Sequence, residues 1–130
     1  MDFLIFVSDL FRIWDDTWDG DRDHSKDEFD QLFSLLSFDI FKNKFFCENQ
    51  QALTSQIFIA WNAWKDSNEW RESGNKVQKM CAWFIRDYCN EICFLVAWIT
   101  GGKDFVREIS IKTRASYLEK LVSGGVDGFE

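Results

Sequence analysis

The chain has 130 residues, of which 46% are hydrophobic and 18% aromatic, and its formal net charge is −7. This length and composition exclude a disordered chain and predict one globular domain with a sizeable core. The negative charge argues against binding to nucleic acid or to an anionic membrane, and no uncharged apolar run is long enough to span a bilayer. Proline is absent, so no residue of this type breaks a helix.

Hydrophobic periodicity predicts a first helix over residues 3–18, which Gly20 ends. A capping box, with Ser25 at the N-cap and Glu28 three residues later, predicts the start of a second helix. Residues 19–24 then form the connecting loop. The side chains expected to form the apolar faces of these two helices are Phe3, Val7, Leu10, Trp14 and Trp18, then Phe29, Leu32, Phe33, Leu36 and Ile40.

The next part of the chain alternates between irregular and helical patterns. Residues 39–48 are aromatic without a clear period and are expected to form a loop or short turn. A third helix is predicted over residues 49–66, with one apolar side. The Ser, Asn and Gly residues within 67–75 predict a turn. The expected inner side of the third helix consists of Leu53, Ile57, Ala60, Trp61 and Trp64.

The most apolar stretch predicts a central helix over residues 76–99, ended by Gly101 and Gly102. One or two short helices should follow over residues 104–122. Together the elements predict an all-α fold, a single-domain bundle of four to six helices.

This domain is expected to cover residues 1–122, with a frayed C-terminal tail over residues 123–130. No secretory signal is evident at the N-terminus. The cysteines are therefore interpreted as reduced thiols of a cytoplasmic protein. They are Cys47, Cys81, Cys89 and Cys93.

An acidic cluster lies at the end of the first predicted helix. Asp15, Asp16 and Asp19 form a DDxxD pattern, and helical spacing places their carboxylates on one side. Carboxylates are disfavoured at a helix C-terminus unless a cation compensates them. The cluster therefore predicts a site for Mg²⁺ or Mn²⁺, whose open positions could take phosphate oxygens. The alternative is a solvated acidic helix end in which Arg12 pairs with Asp16.

The same segment can be interpreted as a calcium loop. Its acidic and glycine positions match much of an EF-hand from Asp15 onward, including Asp21 and Asp23. However, Lys26 stands where a bidentate glutamate is required, and Arg22 stands where an apolar residue is expected. Ca²⁺ is therefore the less favoured cation.

A second polar set interrupts the apolar stretch predicted as the central helix. It contains Arg86, Asp87, Asn90 and Glu91, with Asp87 and Glu91 one helical turn apart. Buried carboxylates need a partner, a metal ion or a proton. One interpretation is a structural network between Arg86 and the carboxylates. The other makes Glu91 and Asp87 catalytic or metal-binding groups that face the first cluster, with Arg86 on a phosphate.

Three resemblances accompany these patterns. DDxxD resembles the motif of class I isoprenoid synthases, and paired acidic helices resemble all-α nucleotide pyrophosphatases. Residues 14–21, 25–28, 43–46 and 86–102 together resemble small phage and prophage proteins of uncharacterised function. That likeness implies a viral accessory protein in a bacterial cytoplasm and implies no reaction. The positions carried over are Asp15, Asp16, Asp19, Asp21, Arg86 and Glu91.

The leading functional hypothesis is a small acidic protein with a divalent-cation site that binds or hydrolyses a nucleotide or another diphosphate. Its ligands would be Asp15, Asp16, Asp19 and Glu91. The rival hypothesis is a non-enzymatic inhibitor that binds a basic host protein through its acidic and aromatic surface. A third is a structural protein whose aromatic surface drives oligomerisation, for example to a homodimer. Convergence of the Asp16 and Glu91 carboxylates would favour the cation site.

Overall fold

A computed structural model describes residues 2–20 and 26–123, without the side chains of Asp19 and of residues 121–123. The all-α prediction is confirmed, since the described residues are almost wholly helical and contain no strand. The predicted capping serine Ser25, the loop residues Asp21 and Asp23 and the tail from 124 onward lie outside the described residues.

The chain divides into two compact units, Met1–Gln50 and Gln51–Glu130. They are called the N-terminal unit and the C-terminal unit, and each is described by itself.

The N-terminal unit begins with helix α1, Phe3–Asp19, as predicted. The Asp2 side chain caps its start by accepting the Leu4 N–H at 2.8 Å. Gly20 ends it in the left-handed conformation, with φ of 68°. The expected apolar face holds only in the first turns, because Phe3 and Val7 are buried whereas both tryptophans are exposed. The exposed pair is Trp14 and Trp18.

Short helical elements complete this unit. Helix α2, Lys26–Ser34, runs into a π-helical turn, Leu35–Asp39, and a 3-10 turn, Ile40–Lys42. Helix α3, Lys44–Glu48, follows. The loop predicted over residues 39–48 is therefore wrong. Asn43 explains the difference, because its side chain accepts the Phe46 N–H at 2.9 Å and starts a new helix.

The next helix is longer than predicted. Helix α4 spans Gln50–Ser73, so the turn expected from residue 67 is wrong. Ser67 and Ser73 bond back to carbonyl oxygens of their own helix, which lets polar residues continue it. The turn begins at Gly74, and Asn75 then forms a capping box with Gln78 that starts helix α5, Lys76–Arg86.

The continuous central helix predicted over residues 76–99 is also wrong, because α5 ends before Asp87 and helix α6, Tyr88–Ser123, begins after it. The Asp87 N–H bonds to the Phe84 carbonyl and the Asn90 N–H bonds to the Asp87 carbonyl, so the backbone makes a tight turn. Aspartate is a weak helix former because its side chain competes for local hydrogen bonds. The apolar pattern on both sides hid this break.

Helix α6 reverses its direction at Gly102, where φ is 76° and ψ is −174°. In one straight helix Glu91 and Arg114 would lie about 34 Å apart, since each residue adds about 1.5 Å. Instead their side chains form an ion pair. Residues 103–123 therefore fold back along residues 88–101. The glycine pair ends the first segment, as predicted, and one helical segment follows it, within the one or two expected; the hairpin itself was not predicted.

The most buried side chains of the C-terminal unit come from α4, α5 and the first segment of α6. Leu53, Ala60 and Ala82 are fully buried, and Ile92 is nearly so. The inner side predicted for α4 is correct for Leu53, Ala60 and Trp64, whereas Trp61 is exposed. Within the described residues, none of the helices carries a stretch long and apolar enough to cross a membrane.

Candidate functional site

The acidic end of α1 belongs to the N-terminal unit. Asp15 and Asp16 are half-buried there, while the side chain of Asp19 lies outside the described residues. The Arg12 Nη2 atom lies 3.8 Å from Asp9 Oδ1. The described side chains include no group of three His, Cys, Asp or Glu residues placed to hold a metal ion. The side chain of Asp19 is not among those described. The predicted Mg²⁺ or Mn²⁺ site and the less favoured Ca²⁺ loop therefore stay predictions.

The second predicted set belongs to the C-terminal unit, where a partner unforeseen from the sequence joins it. Arg114, from the second segment of α6, forms ion pairs with both Asp87 and Glu91. Asp87 also accepts a hydrogen bond from the Asn90 side chain at 2.5 Å. Both carboxylates thus have protein partners that neutralise and orient them. They connect the helix break at Asp87 to the returning segment of α6.

The chemistry of this cluster follows from its contacts. The hydrogen bond to Glu91 is the main cause that raises the pKa of Arg114, so the guanidinium stays charged. Burial raises the pKa of the Tyr117 phenol to about 12. That hydroxyl donates to the Trp83 carbonyl oxygen at 3.0 Å, which joins α6 to α5. The cluster therefore stabilises the hairpin through the ion pairs of the charged Arg114 guanidinium and through the hydrogen bond of the Tyr117 phenol.

Arg86, predicted to contact a phosphate, faces a different set of residues. Its guanidinium donates a hydrogen bond to the Asn68 side chain. It also lies 5.9 Å from the ring centroids of both Trp64 and Trp83. Contacts of this kind favour a cation over an aromatic face. Asn68 is buried, and its Nδ2 atom has no hydrogen-bond partner among the described residues.

The sequence prediction of these two sets was thus incomplete. Arg114, Asn68 and Tyr117 were missed because they lie far along the chain from Asp87, and only the reversal at Gly102 brings two of them close. A structural network around the carboxylates was one expected interpretation, although Arg114 provides its ion pairs. Asp16 and Glu91 belong to different units. Their predicted convergence therefore stays a prediction.

A third feature lies on α2 and the π-helical turn, in the N-terminal unit. Four large apolar side chains are exposed there, and we call them the aromatic face. Phe33 is 62% exposed, and its ring packs edge-on against that of Phe38 at 6.0 Å between centroids. No residue of α2 is buried. The aromatic face consists of Phe29, Phe33, Leu36 and Phe38.

Carboxylates border the aromatic face. Residues 26–39 contain four acidic residues and one lysine. Phe29 and Phe33 were expected to form core contacts. They are exposed instead, so that expectation is wrong. A mixed acidic and apolar surface of this kind suits contact with another macromolecule.

Comparison with known proteins gives no further guidance: no protein family, curated protein or solved structure matches the chain.

Proposed function

We propose that the protein is a non-enzymatic binding protein whose aromatic face contacts a basic, amphipathic segment of another protein. The observation that carries this proposal is the exposure of the four large apolar side chains of the aromatic face. Helices in proteins are stabilised chiefly by burying an apolar face. None of the nine residues of α2 is buried, so among the described residues this helix gains little stabilisation of that kind. A partner that covers the aromatic face would add to it.

Charge selects the kind of partner. Asp27 and Asp30 are exposed beside Phe29, and the whole chain carries a net charge of −7. Complementary charge accelerates association and favours basic partners over acidic ones. An amphipathic helix with lysine or arginine on one side and leucine on the other matches both properties of the face. This occupant corresponds to the basic host protein expected for an inhibitor.

The contacts of the second polar set support a binding role over a catalytic one. A general acid, base or metal ligand must be able to reach a substrate. Asp87 and Glu91 are instead held by Arg114, and Arg86 is held between tryptophan rings and Asn68. Substrate binding there would have to disrupt the ion pairs that join the two segments of α6.

Titration with a synthetic Lys/Leu amphipathic helix, followed by calorimetry, tests the proposal. We expect saturable binding that weakens with added salt, since surface charge is screened. Phe33→Ser should lower the affinity about tenfold or more, as for an apolar anchor of an interface. The fold is preserved because Phe33 is exposed, and circular dichroism checks this.

Phe58→Ser is the matched control. Phe58 is 60% exposed and also contacts a neighbouring ring, that of Trp61, but it lies on α4. We expect this variant to bind the peptide like the wild type. An equal loss in both variants, or equal binding of a Glu/Leu helix, would contradict the proposal. Self-association that Phe33→Ser abolishes, without peptide binding, would identify a second copy of the chain as the occupant instead.

The divalent-cation site is a second proposal, and it now depends on α1. Its support is that the predicted aspartate ligands lie near the C-terminal end of α1, where the partial negative charge of the helix favours a nearby cation. Mg²⁺ or Mn²⁺ would bind there with Asp15, Asp16 and Asp19 as ligands and could recruit a phosphorylated small molecule. Calorimetry should show binding in the wild type and none in Asp16→Asn. Binding by neither protein would refute this proposal and leave the peptide result unaffected.

A further inference from the structure

We propose that a pocket beside the π-helical turn binds a small amphipathic anion, of the class of alkyl or aryl carboxylates. The pocket has a volume of about 470 Å³, and all its lining residues belong to the N-terminal unit. Pockets for small organic molecules commonly measure about 300–1,000 Å³. The proposal is independent of the aromatic face, since none of the four residues of that face lines the pocket.

The apolar side of the pocket comes from three buried side chains. Phe6, Leu35 and Ile40 line it, and each is less than a tenth exposed. An alkyl chain or an aromatic ring placed there would leave water for apolar neighbours, which is the main favourable contribution in sites of this kind. The interior of the pocket therefore suits the apolar part of a ligand.

The π-helical turn shapes this apolar side. The Ile40 N–H donates to the Leu35 carbonyl oxygen five residues earlier, instead of four as in an α-helix. The extra residue widens the turn, and Leu35 and Ile40, which close it, both line the pocket. Turns of this kind interrupt regular helices and occur frequently at functional sites. The irregular backbone thus coincides with the concave surface.

The polar side of the pocket selects an anion. Its polar lining residues are Lys42, Asn43, Lys44 and Asp39, so two cationic residues stand against one acidic residue. The Lys42 Nζ atom lies 3.9 Å from Asp39 Oδ1, and the Lys44 Nζ atom lies 3.6 Å from Glu48 Oε1. Both lysine side chains are more than three-quarters exposed, so these ion pairs are weak and their ammonium groups can turn toward a ligand. A carboxylate at the mouth would then meet two cations.

The occupant is a free molecule. A membrane surface presents many anionic groups together, and the net charge of −7 of the chain opposes these more strongly than it opposes a single carboxylate. A compact anion without an apolar part would leave Phe6, Leu35 and Ile40 uncovered. An alkyl alcohol would lack the charge that attracts the two lysines.

Calorimetric titration of the full chain with octanoate tests the proposal. We expect saturable binding, with octanol and inorganic phosphate each bound about tenfold more weakly or not at all. Amide NMR signals of Leu35 and Ile40 should shift on addition of octanoate. Binding of phosphate as tight as that of octanoate, or binding only to phosphatidylglycerol vesicles, would overturn the proposal.

Charge reversal provides the matched variants. Lys42→Glu with Lys44→Glu should weaken octanoate binding about tenfold or more, since both cations become anions. These side chains are exposed, so the fold is retained. Lys26→Glu, an exposed lysine of the same unit outside the pocket, should bind octanoate within about twofold of the wild type. An equal loss of octanoate affinity in the Lys42→Glu/Lys44→Glu variant and in Lys26→Glu, or no saturable binding in the wild type, would contradict the assignment.

Discussion

Helix α2 and the α6 hairpin use their side chains in opposite ways. In α2, apolar residues expected to form core contacts are exposed, and no residue is buried. In the hairpin, charged residues expected to form a reactive site are bound to one another, through Arg114 and its two carboxylates. The comparison shows that a charged cluster can be taken up by ion pairs within the fold while large apolar side chains stay exposed. Under the proposed function the apolar surface is the one that binds a partner.

The comparison predicts unequal costs for truncating an apolar residue in the two regions. Ile92→Ala, at a position 1% exposed on α6, should lower the free energy of unfolding by about 3 kcal/mol. Phe33→Ala should change it by less than about 0.5 kcal/mol, because Phe33 is on the surface. Urea unfolding followed by circular dichroism measures both. Similar costs would mean that α2 is covered in solution.

Removal of the Arg114 charge should have the next largest effect on the free energy of unfolding. Arg114→Met leaves the partly buried Asp87 and Glu91 without their cation and should cost about 2 kcal/mol. Arg107→Met, on the same segment and exposed, should cost less than about 0.5 kcal/mol. In the Arg114→Met background, Asp87→Asn should lower the free energy of unfolding by less than it does in the wild type, because the two residues interact. Additive costs would contradict a structural ion pair.

Among the described residues, two glycines have a positive φ, and they provide a more specific test. Gly20 lies in the left-handed helical region that asparagine tolerates, whereas Gly102, with ψ of −174°, lies in a region restricted to glycine. Gly102→Asn should therefore cost about 1–3 kcal/mol, and Gly20→Asn less than about 0.5 kcal/mol. Differential scanning calorimetry compares the two. Equal shifts in melting temperature would mean that the hairpin does not require this backbone conformation.

Local signals predicted much of the fold. The all-α class, helix α1 and its stop at Gly20 follow from apolar spacing and from the conformational freedom of glycine. Such signals could not reveal the break at Asp87, because apolar residues continue on both sides of it. They also could not show that the apolar side of α4 is buried at Leu53, Ala60 and Trp64 whereas the aromatic face stays exposed. The ion pairs of Arg114 depend on a reversal 12 residues earlier in the chain, at Gly102.

The smallest predicted effect concerns pH and occurs only in the C-terminal unit, since the N-terminal unit contains no tyrosine. Burial raises the pKa of Tyr117 to about 12, above the ordinary value of about 10 in an unfolded chain. The stabilisation from its neutral phenol is therefore complete below about pH 10 and is lost as pH rises toward 12. Tyr117→Phe removes both this titration and the hydrogen bond to Trp83.

Urea unfolding at a series of pH values measures the difference between wild type and Tyr117→Phe. The wild type should be more stable by about 1 kcal/mol near neutral pH, the usual contribution of one hydrogen bond. Above about pH 10 this advantage should shrink, because the unfolded wild type ionises its phenol while the folded one resists. An advantage that stays constant to pH 12 would mean that the Tyr117 hydroxyl is solvated. The returning segment of α6 would then be held by Arg114 without help from the phenol.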